Sequence, residues 1–350
     1  MAAHAQSGLD ARRLGALPTA TGAVSRLAYA HARSSGIGLA PLLTAAGLTA
    51  RQVEDRDARL GVHQQIKFLN LVADAVADPL FGFHLAHVPD LRELGLVYYA
   101  AASSDKLGDA LRRMARYCAV VNEGFALNYV DHQGIEVAFD YTGVSRHLDR
   151  HQMEIGVTVL MRLCRQLTGR RLAARRVTLA HRRNGDCAEM AAFFGCDIEF
   201  GAAADRVVLA AEAGDIPVIS ADPYLNRLLI ANLEEALARR PTRQGTFRAA
   251  VENAIVPLLP HGKVKAGEIA AQLGLSQRTF ARRLAADGLT FSEVLERLRA
   301  DLAQQYLADP GLNVSRIAWL LGYQEVSAFT HAFKRWTGKR PRDMRAANGE

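Results

Sequence analysis

The side chains best suited to chemistry in this sequence lie on two short helical stretches in its last third. In the first stretch, Arg278 and Arg282 stand one helical turn apart. The apolar Phe280 and Leu284 occupy a different face of the same stretch and are expected to point inward. An arginine can donate two hydrogen bonds to a guanine edge. A solvated helix surface would carry the same residues, so this pattern alone leaves both interpretations open.

The second stretch repeats this arrangement 49 residues later, with Phe329, Phe333 and Trp336 as the inward residues. Small and polar side chains then fall on the outer face at helical spacing: Ser327, Ala328, Thr330, His331 and Lys334. Serine and threonine can bond to several base edges, and small apolar side chains can touch a thymine methyl group. At or beyond the helix ends we expect contacts to phosphates, from Arg283, Lys334, Arg335, Lys339 and Arg340.

An internal repeat explains why the two stretches are alike. Residues 269–275 (IAAQLGL) match residues 317–323 (IAWLLGY) at an offset of 48, and the offset then rises to 49. In each copy a small alanine allows two helices to cross closely, and a glycine, Gly274 or Gly322, suits a tight turn. The pattern predicts two helix-turn-helix units, with one extra residue in the second turn.

A long helix must join the two units. Thr290 and Glu293 form a T-x-x-E capping box at its start, and Asp309-Pro310-Gly311 is expected to end it. Roughly 18 residues would span about 27 Å. With the flanking helices added, the two outer faces would lie about 34 Å apart, which is one turn of DNA. One chain would then enter two successive major grooves.

Charge and composition favour the same interpretation. The 350 residues carry a formal net charge of +7, and residues 243–350 hold 12 Arg and 4 Lys against 10 acidic residues. Nearly all the excess charge therefore lies in the last third, which is typical of a polyanion-binding module joined to a second, nearly neutral one. A hydrophobic content of 49% with 23% charged residues excludes wholesale disorder.

The sequence predicts two domains. Residues 241–246 contain proline, glycine and arginine and are expected to form a linker. Residues 1–240 mix helical and strand patterns and predict an α+β domain. Residues 247–346 predict an all-α domain of seven helices with two helix-turn-helix motifs. In the first domain we expect helices at 64–78, 107–121, 151–167 and 222–240, and strands at 125–129, 135–141 and 176–180.

The sequence lacks the common motifs of redox, hydrolytic and nucleotide-binding sites. The cysteines at 118, 164, 187 and 196 include no C-x-x-C pair, and no G-x-S-x-G, H-E-x-x-H or P-loop motif occurs. His84-x-x-His87 and His147-x-x-x-His151 have spacings that a metal could use, but neither pair has a cysteine nearby. We predict no catalytic site, no metal site and no cofactor. The longest apolar run, residues 94–102, is half of what a bilayer span needs, so we expect a cytoplasmic protein without membrane contact.

An arginine-rich stretch stands apart from these motifs. Between Gly156 and Gly185 the chain has eight arginines and no acidic residue. A solvated helix end followed by an edge strand would explain it. A second interpretation is a site for an anionic effector, a carboxylate or phosphate held by Arg175 and Arg176. Accessory contacts to DNA or to RNA polymerase are a third, and Cys164 between Arg162 and Arg165 could be a redox sensor.

The repeated helical units resemble the DNA-binding domain of the AraC/XylS family of bacterial transcription regulators. The resemblance covers residues 243–346 and is most specific at Ile317-Ala318, Leu321-Gly322-Tyr323, Ser327-Ala328-Phe329, Phe333-Lys334-Arg335-Trp336, Gly338 and Pro341. It implies two helix-turn-helix motifs that read promoter DNA, with base contacts from Gln277, Arg278, Thr279, Arg282, Ser327, Ala328, Thr330 and His331. His331 takes a place where arginine is common, which predicts a weaker or pH-dependent contact.

The first 240 residues more faintly resemble the N-terminal domain, often labelled arabinose-binding, of a subset of that family. The similar runs are Asp78-Pro79-Leu80-Phe81-Gly82, Leu94-Gly95, residues 107–111 and Phe200-Gly201-Ala202. They imply a sensory or dimerising domain and no sugar specificity. We therefore interpret the chain as a regulator that binds double-stranded promoter DNA, with a small-molecule effector, RNA polymerase and a second copy as expected partners. The alternatives are a DNA-targeted enzyme with a catalytic N-terminal domain, and a DNA-binding protein without an effector.

Overall fold

A computed structural model describes residues 18–131, 134–141, 144, 146–183, 185, 187–239, 247–262, 264–308 and 312–347. The chain divides into two compact units. The first comprises Met1–Val144, Leu148–His181 and Cys187–Gly245, and the second Ser145–His147, Arg182–Asp186 and Thr246–Glu350. The expected linker, residues 241–246, lies outside the described residues, as does the expected end of the long helix at 309–311.

Ten α-helices are described in the first unit. They are α1 (Ala23–Ser34), α2 (Leu39–Ala46), α3 (Ala50–Glu54), α4 (Val62–Ala75), α5 (Phe81–Leu85), α6 (Leu96–Ala102), α7 (Leu107–Val121), α8 (Arg150–Thr168), α9 (Ala188–Phe194) and α10 (Pro223–Ala238). Two 3-10 helices accompany them at Leu91–Leu94 and Ala211–Asp215.

The strands of the first unit form a two-stranded pair and a five-stranded sheet. They are β1 (Thr19–Ala20), β2 (Leu60–Gly61), β3 (Phe125–Asp131), β4 (Ile135–Tyr141), β5 (Arg176–Leu179), β6 (Ile198–Phe200) and β7 (Asp205–Leu209). The larger sheet has the order β3-β4-β7-β5-β6, with only the β5–β6 pair parallel among these strands. The mixture of helices and a mainly antiparallel sheet confirms the predicted α+β class.

Helix α8 is buried along most of its 19 residues and organises the first unit. Met153, Val157 and Met161 pack with the inward residues of the sheet. On its other sides, Ile155 packs with α1–α5, and Leu163 with α6, α7 and α10. The helix buries polar side chains as well as apolar ones, among them Gln152, Glu154 and Thr158.

The contact between α5 and α8 requires a glycine. The backbone N–H of Gly82 donates to Nδ1 of His151 (3.2 Å), and a Cβ at residue 82 would lie 2.3 Å from the carbonyl oxygen of His151. No side chain fits at that distance. Gly82 belongs to the run on which the faint N-terminal resemblance rests, and this close approach explains why a glycine is needed there.

The second unit is all-helical in its described residues, which confirms the predicted class. Seven α-helices are present: α11 (Phe247–Ile255), α12 (Ala266–Gln272), α13 (Gln277–Ala286), α14 (Phe291–Ala308), α15 (Val314–Leu320), α16 (Val326–Thr337) and α17 (Pro341–Ala347). A single apolar core runs through all of them, centred on Leu298, Leu302, Phe329 and Phe333.

Helix α11 is short. It ends at Ile255 and passes into a 3-10 helix, Val256–His261. Pro257 and Pro260 cause this change, because a proline lacks the N–H that continues an α-helix. Strands β6 and β7 were not predicted. They are short, and β6 is half-exposed, so their alternation is too brief to detect.

His84 links α5 to α9 and gives the first unit a pH-dependent contact. Its Nδ1 lies 2.7 Å from Asp78 Oδ2 and its Nε2 lies 3.0 Å from Glu189 Oε2. Burial lowers the pKa of His84, but the hydrogen bonds to the two carboxylates outweigh it, so the net shift is upward. The stabilisation is therefore complete below the unfolded pKa of about 6.5 and is lost as the pH rises through the folded pKa.

We expect His84→Gln to lower the free energy of unfolding by about 0.2–1 kcal/mol at pH 5.5 and by less at pH 8.5. Urea unfolding followed by circular dichroism at the two pH values measures the difference. His87→Gln is the matched control, because the His87 ring bonds to the carbonyl oxygen of Phe83 (2.9 Å). An equal loss at both pH values for His84→Gln would refute the proposed charge dependence.

Candidate nucleic-acid interface

The first helix-turn-helix consists of α12, a four-residue turn and α13. The N–H of Leu275 donates to the carbonyl oxygen of Ala270 (2.8 Å), and the N–H of Gly274 to that of Ala271 (3.0 Å). This pair of bonds is a Schellman closure, which needs a left-handed residue after the helix. Gly274 supplies it with φ +69°. The hydroxyl of Ser276 then accepts from the N–H of Thr279 (3.2 Å) and caps α13.

The second helix-turn-helix, α15 and α16, repeats the closure 48 residues later. The N–H of Tyr323 donates to the carbonyl oxygen of Ala318 (2.9 Å), and the N–H of Gly322 to that of Trp319 (2.9 Å). Its turn, residues 321–325, is one residue longer than the first, as the change of offset predicted. This turn is also more crowded, because a Cβ on Gly322 would lie 2.4 Å from the carbonyl oxygen of Leu259.

Helix α14 joins the two helix-turn-helix motifs of the second unit and begins with the predicted capping box. The N–H of Thr290 donates to Glu293 Oε2 (2.7 Å), and the N–H of Glu293 donates to the hydroxyl of Thr290 (3.3 Å). These hydrogen bonds lower the pKa of Glu293. The helix spans 18 residues, Phe291–Ala308, and its buried side chains include Val294, Leu298, Leu302 and Leu307.

Helix α13 buries one face and leaves the other in solvent. Phe280 and Leu284 are in the core, whereas Gln277, Arg278, Arg282 and Arg283 are exposed and Thr279 is half-buried. In the described part of the chain, Arg278 and Arg282 have no hydrogen bond or ion pair. Gln277 packs over Gly267, and Arg283 lies over the ring of Phe247 (5.6 Å). Arg278 and Arg282 are therefore the free cations of this face.

Helix α16 has the same division. Phe329 and Phe333 are fully buried and Trp336 is half-buried, while Ser327, Ala328, His331 and Lys334 are exposed. Thr330 is half-buried, and its hydroxyl donates to the carbonyl oxygen of Val326 (2.8 Å). The hydroxyl of Ser327 donates to Glu325 Oε2 (3.1 Å). The expected base-contacting residues thus lie together on one surface of the helix, with the two hydroxyls already engaged.

The expected phosphate-contacting residues are exposed, but one of them is paired. Lys339 and Arg340 lie past the end of α16 in solvent. Nη2 of Arg335 lies 2.6 Å from Glu296 Oε1 on α14. Both side chains of this pair are exposed, so an incoming phosphate would compete with a water-screened carboxylate rather than with a buried one.

Sequence reasoning missed two residues of this region. Nε of Arg299 donates to the carbonyl oxygen of Leu321 (2.9 Å), and its guanidinium lies over the Tyr323 ring (4.8 Å). Arg299 thereby ties the second turn to α14. Arg316 stacks on Trp319 (4.3 Å), whose side chain is 43% exposed. No sequence signal separates Arg299 from the exposed Arg297 two residues earlier, because both lie in the same charged helix.

The arginine-rich stretch of the first unit is largely occupied by its own chain. Arg162 donates to the carbonyl oxygens of Ala86 and Pro89, and Arg165 to those of Leu172 and Phe193. Nη2 of Arg175 lies 3.8 Å from Glu212, and Nη2 of Arg176 lies 2.5 Å from Glu199. Both arginines are exposed, and their acidic partners come from distant parts of the sequence. An anionic effector at Arg175 and Arg176 stays a prediction.

Other candidate chemistry is weaker. Burial raises the pKa of the Cys164 thiol to about 12, so it lacks the thiolate character of a redox sensor. In the described ranges, no group of three or more His, Cys, Asp or Glu side chains could hold a metal ion. No helix in those ranges is both long enough and apolar enough to span a bilayer.

The two turns predict different tolerance to a methyl group. We expect Gly274→Ala to cost about 1–2 kcal/mol of stability, the strain of a left-handed non-glycine residue. Gly322→Ala should cost about 1–3 kcal/mol more, because its Cβ also meets the Leu259 backbone. Both tryptophans of the chain, Trp319 and Trp336, lie in the second unit, so urea unfolding followed by tryptophan fluorescence reports this unit. Equal losses for the two variants would contradict the difference.

Comparison with known proteins follows the same division of the chain. A family model described as the arabinose-binding domain of AraC transcription regulators matches residues 36–218, and a helix-turn-helix domain model matches residues 269–347. The HTH-type transcriptional regulator VirS of Mycobacterium tuberculosis is 30% identical over 296 residues, which is 84% of this chain and 86% of VirS.

Two further proteins are similar over most of their length. The ornithine utilization regulator of Pseudomonas aeruginosa is 26% identical over 316 residues, which is 89% of this chain and 92% of that protein. The crystal structure of the transcriptional regulator CdpR from Pseudomonas aeruginosa aligns with 22% identity and a TM-score of 0.43, covering 88% of this chain and 96% of that one. On the domain models and the identity to VirS, the chain belongs to the AraC family of transcription regulators, with an arabinose-binding-type domain before its helix-turn-helix domain.

Proposed function

We propose that this protein binds promoter DNA in two successive major grooves through α13 and α16, and that a small molecule bound to the first unit modulates this binding. The observation that carries the proposal is the repeated turn. The same closure, 48 residues apart, buries one face of each second helix and leaves the other exposed. A helix fixed in this way can present its outer side chains to the floor of a groove.

We assign direct reading of bases to the exposed faces. Arg278 and Arg282, which are free of partners among the described residues, are the best donors to guanine edges. On α16, Ala328 offers a methyl group and His331 a ring nitrogen. The full set of proposed base-contacting residues is Gln277, Arg278, Thr279, Arg282, Ser327, Ala328, Thr330 and His331.

The remaining cations position the protein on the DNA backbone. We assign phosphate contacts to Arg283, Lys334, Arg335, Lys339 and Arg340. Such contacts fix register but carry no sequence information. Arg335 would exchange Glu296 for a phosphate, and Lys339 and Arg340 extend the same basic surface.

Control of transcription needs partners beyond DNA. An effector that binds two arrangements of the protein unequally would shift the balance between DNA-competent and incompetent forms. RNA polymerase and a second copy of the chain are the other proposed partners, and the proposed place of action is the cytoplasm. The relatives are named as regulators, which gives no support to a catalytic N-terminal domain.

Footprinting of the full chain on the DNA upstream of its own gene tests the proposal. We expect protection in two patches about 10 base pairs apart on one face of the duplex. Arg278→Ala and Arg282→Ala should each weaken binding to this site by about 1–3 kcal/mol and relax the preference at one base pair. Arg51→Ala, an exposed arginine of the first unit, is the matched control and should leave the footprint unchanged.

Two results would oppose this assignment. Absence of any protected site would refute DNA binding by the second unit. An equal loss on specific and random DNA would make Arg278 and Arg282 phosphate contacts instead.

The phosphate contacts predict a different response to salt. Lys334→Ala should weaken binding equally on all sequences, because the lysine attracts a phosphate regardless of base. The slope of log K against log salt should fall in magnitude by about 0.9 for each contact removed. Fluorescence anisotropy with labelled duplexes between low and moderate salt measures the slope. A loss confined to one sequence would instead place Lys334 among the base contacts.

A further inference from the structure

We propose that the first unit binds a small, neutral and mainly apolar molecule that carries one hydrogen-bond acceptor, in a cavity where the side-chain amide of Gln152 donates to that acceptor. The view that this molecule is the effector rests on the proposed function. The binding site itself rests on the cavity alone.

The cavity lies wholly within the first unit and has a volume of about 150 Å³. Its walls come from helices α1, α4, α5, α6, α7 and α8, the 3-10 helix Leu91–Leu94, strand β1 and the β3–β4 hairpin. Most of the lining is aliphatic or aromatic, with Leu27, Leu91, Val97, Met114, Phe139 and Leu160 as representatives. In T4 lysozyme, an engineered apolar cavity of about this size stays dry and binds benzene. The space here therefore suits a molecule with one aromatic ring or a similar aliphatic body.

Two amide side chains of the lining, those of Asn122 and Gln65, already bond to other groups of the protein. Asn122 donates to the hydroxyl of Tyr141 (2.5 Å) and accepts from the N–H of Gly124 (3.1 Å). Gln65 donates to Oε1 of Gln152 (2.8 Å) and accepts from the hydroxyl of Ser25 (3.5 Å). These bonds fix the orientation of both amides, so they leave little capacity for a polar ligand.

Two lining side chains keep an unused donor among the described residues. The hydroxyl of Thr21 makes no hydrogen bond there, and Oε1 of Gln152 is used by Gln65, which turns the Nε2 of Gln152 toward a different partner. Residue 152 is 94% buried, but its Nε2 is not among the fully buried unpaired atoms, so it keeps access to the space that the residue lines. An amide N–H in an apolar space gains from an acceptor. A ligand oxygen placed in the cavity would satisfy it, which is why we infer a single acceptor on the ligand.

The lining argues against an anion and against a sugar. No arginine, lysine or histidine is among the residues that line the cavity in the described ranges, and the two charged ones, Asp90 and Glu93, are both acidic. Asp90 is paired with Arg92 (2.5 Å), outside the cavity. Arg162, behind the rim, is occupied by the carbonyl oxygens of Ala86 and Pro89. An anion would meet carboxylates without a cation, and a sugar would bring hydroxyls against apolar walls.

Three ligands of nearly equal shape, with arabinose as a fourth, test whether the full chain prefers a neutral acceptor, a purely apolar molecule, an anion or a sugar. Acetophenone is neutral and has one carbonyl oxygen, α-methylstyrene replaces that oxygen by a methylene, and benzoate carries a charged carboxylate. We expect acetophenone to bind most tightly, roughly three- to tenfold more tightly than α-methylstyrene, the worth of one net hydrogen bond. Benzoate and arabinose should show no binding. Titration followed by ligand-observed NMR measures all four, and binding of benzoate or arabinose as tight as that of acetophenone would overturn the proposal.

Substitutions place the ligand in the cavity. Val159→Phe fills the space from α8, and Val24→Phe fills it from α1, where the half-buried side chain tolerates change better. Each should weaken acetophenone binding at least tenfold. Val120→Phe is the matched control, a half-buried valine on α7 that does not line the cavity. If Val159→Phe fails to fold, Val24→Phe carries the test, and unchanged binding in a folded Val24→Phe protein would refute the site.

Gln152→Glu tests the donor. An ionised glutamate keeps an oxygen that accepts from Gln65 but cannot donate, so acetophenone should lose its advantage over α-methylstyrene in this variant. A persistent preference for acetophenone would show that another group supplies the hydrogen bond, which contradicts the role of Gln152.

Footprinting separates failure of this inference from failure of the proposed function. A chain that protects promoter DNA but binds no acetophenone refutes the cavity site alone. A chain that binds acetophenone but protects no DNA refutes the proposed function alone. Acetophenone should also change the DNA affinity of the wild-type chain and leave that of Val24→Phe unchanged. Binding without any such change would refute the role as effector.

Discussion

The second unit depends on one backbone hydrogen bond, made twice. In each helix-turn-helix, the N–H of the residue after the glycine reaches back to the carbonyl oxygen of a buried alanine, from Leu275 to Ala270 and from Tyr323 to Ala318. The alanine is small enough for the next helix to pass close by, and the glycine supplies a backbone conformation that other residues adopt at a cost. The alanine and the glycine together set the angle between the two helices. This angle determines which surface of the second helix faces outward.

The first unit is held together in a different way. Its helix α8 contacts the sheet on one side and other helices on its remaining sides, so no single face is reserved for the core. Close packing there is set by individual residues, such as Gly82 against the backbone of His151. The same arrangement leaves a space between α8, α7 and the β3–β4 hairpin, where Gln65 and Gln152 of the lining bond to each other. One side of the buried helix α8 therefore also lines the cavity.

Local patterns in the sequence were enough to predict the elements that rest on local physics. Helix α7, strand β4, the capping box of α14 and both turns follow from periodicity, capping and glycine, which act within a few residues. Long-range partners could not be predicted. The stretch around Arg175 contains no acidic residue, but Glu212, from the 3-10 helix that follows β7, lies next to Arg175. Arg299 could not be distinguished from its neighbours by sequence, because its partner, the carbonyl oxygen of Leu321, is 22 residues away. The cavity escaped prediction for the same reason, since its walls come from ten elements of the fold.

The unequal surroundings of the two turns have a consequence for how this regulator changes over generations. Gly322 is enclosed by Leu259 and Arg299, whereas a side chain on Gly274 would meet nothing within 4 Å. A side chain at Gly274 is therefore opposed only by backbone strain, whereas one at Gly322 is opposed also by the Leu259 backbone. The first turn should accept replacement of its glycine over generations more readily than the second.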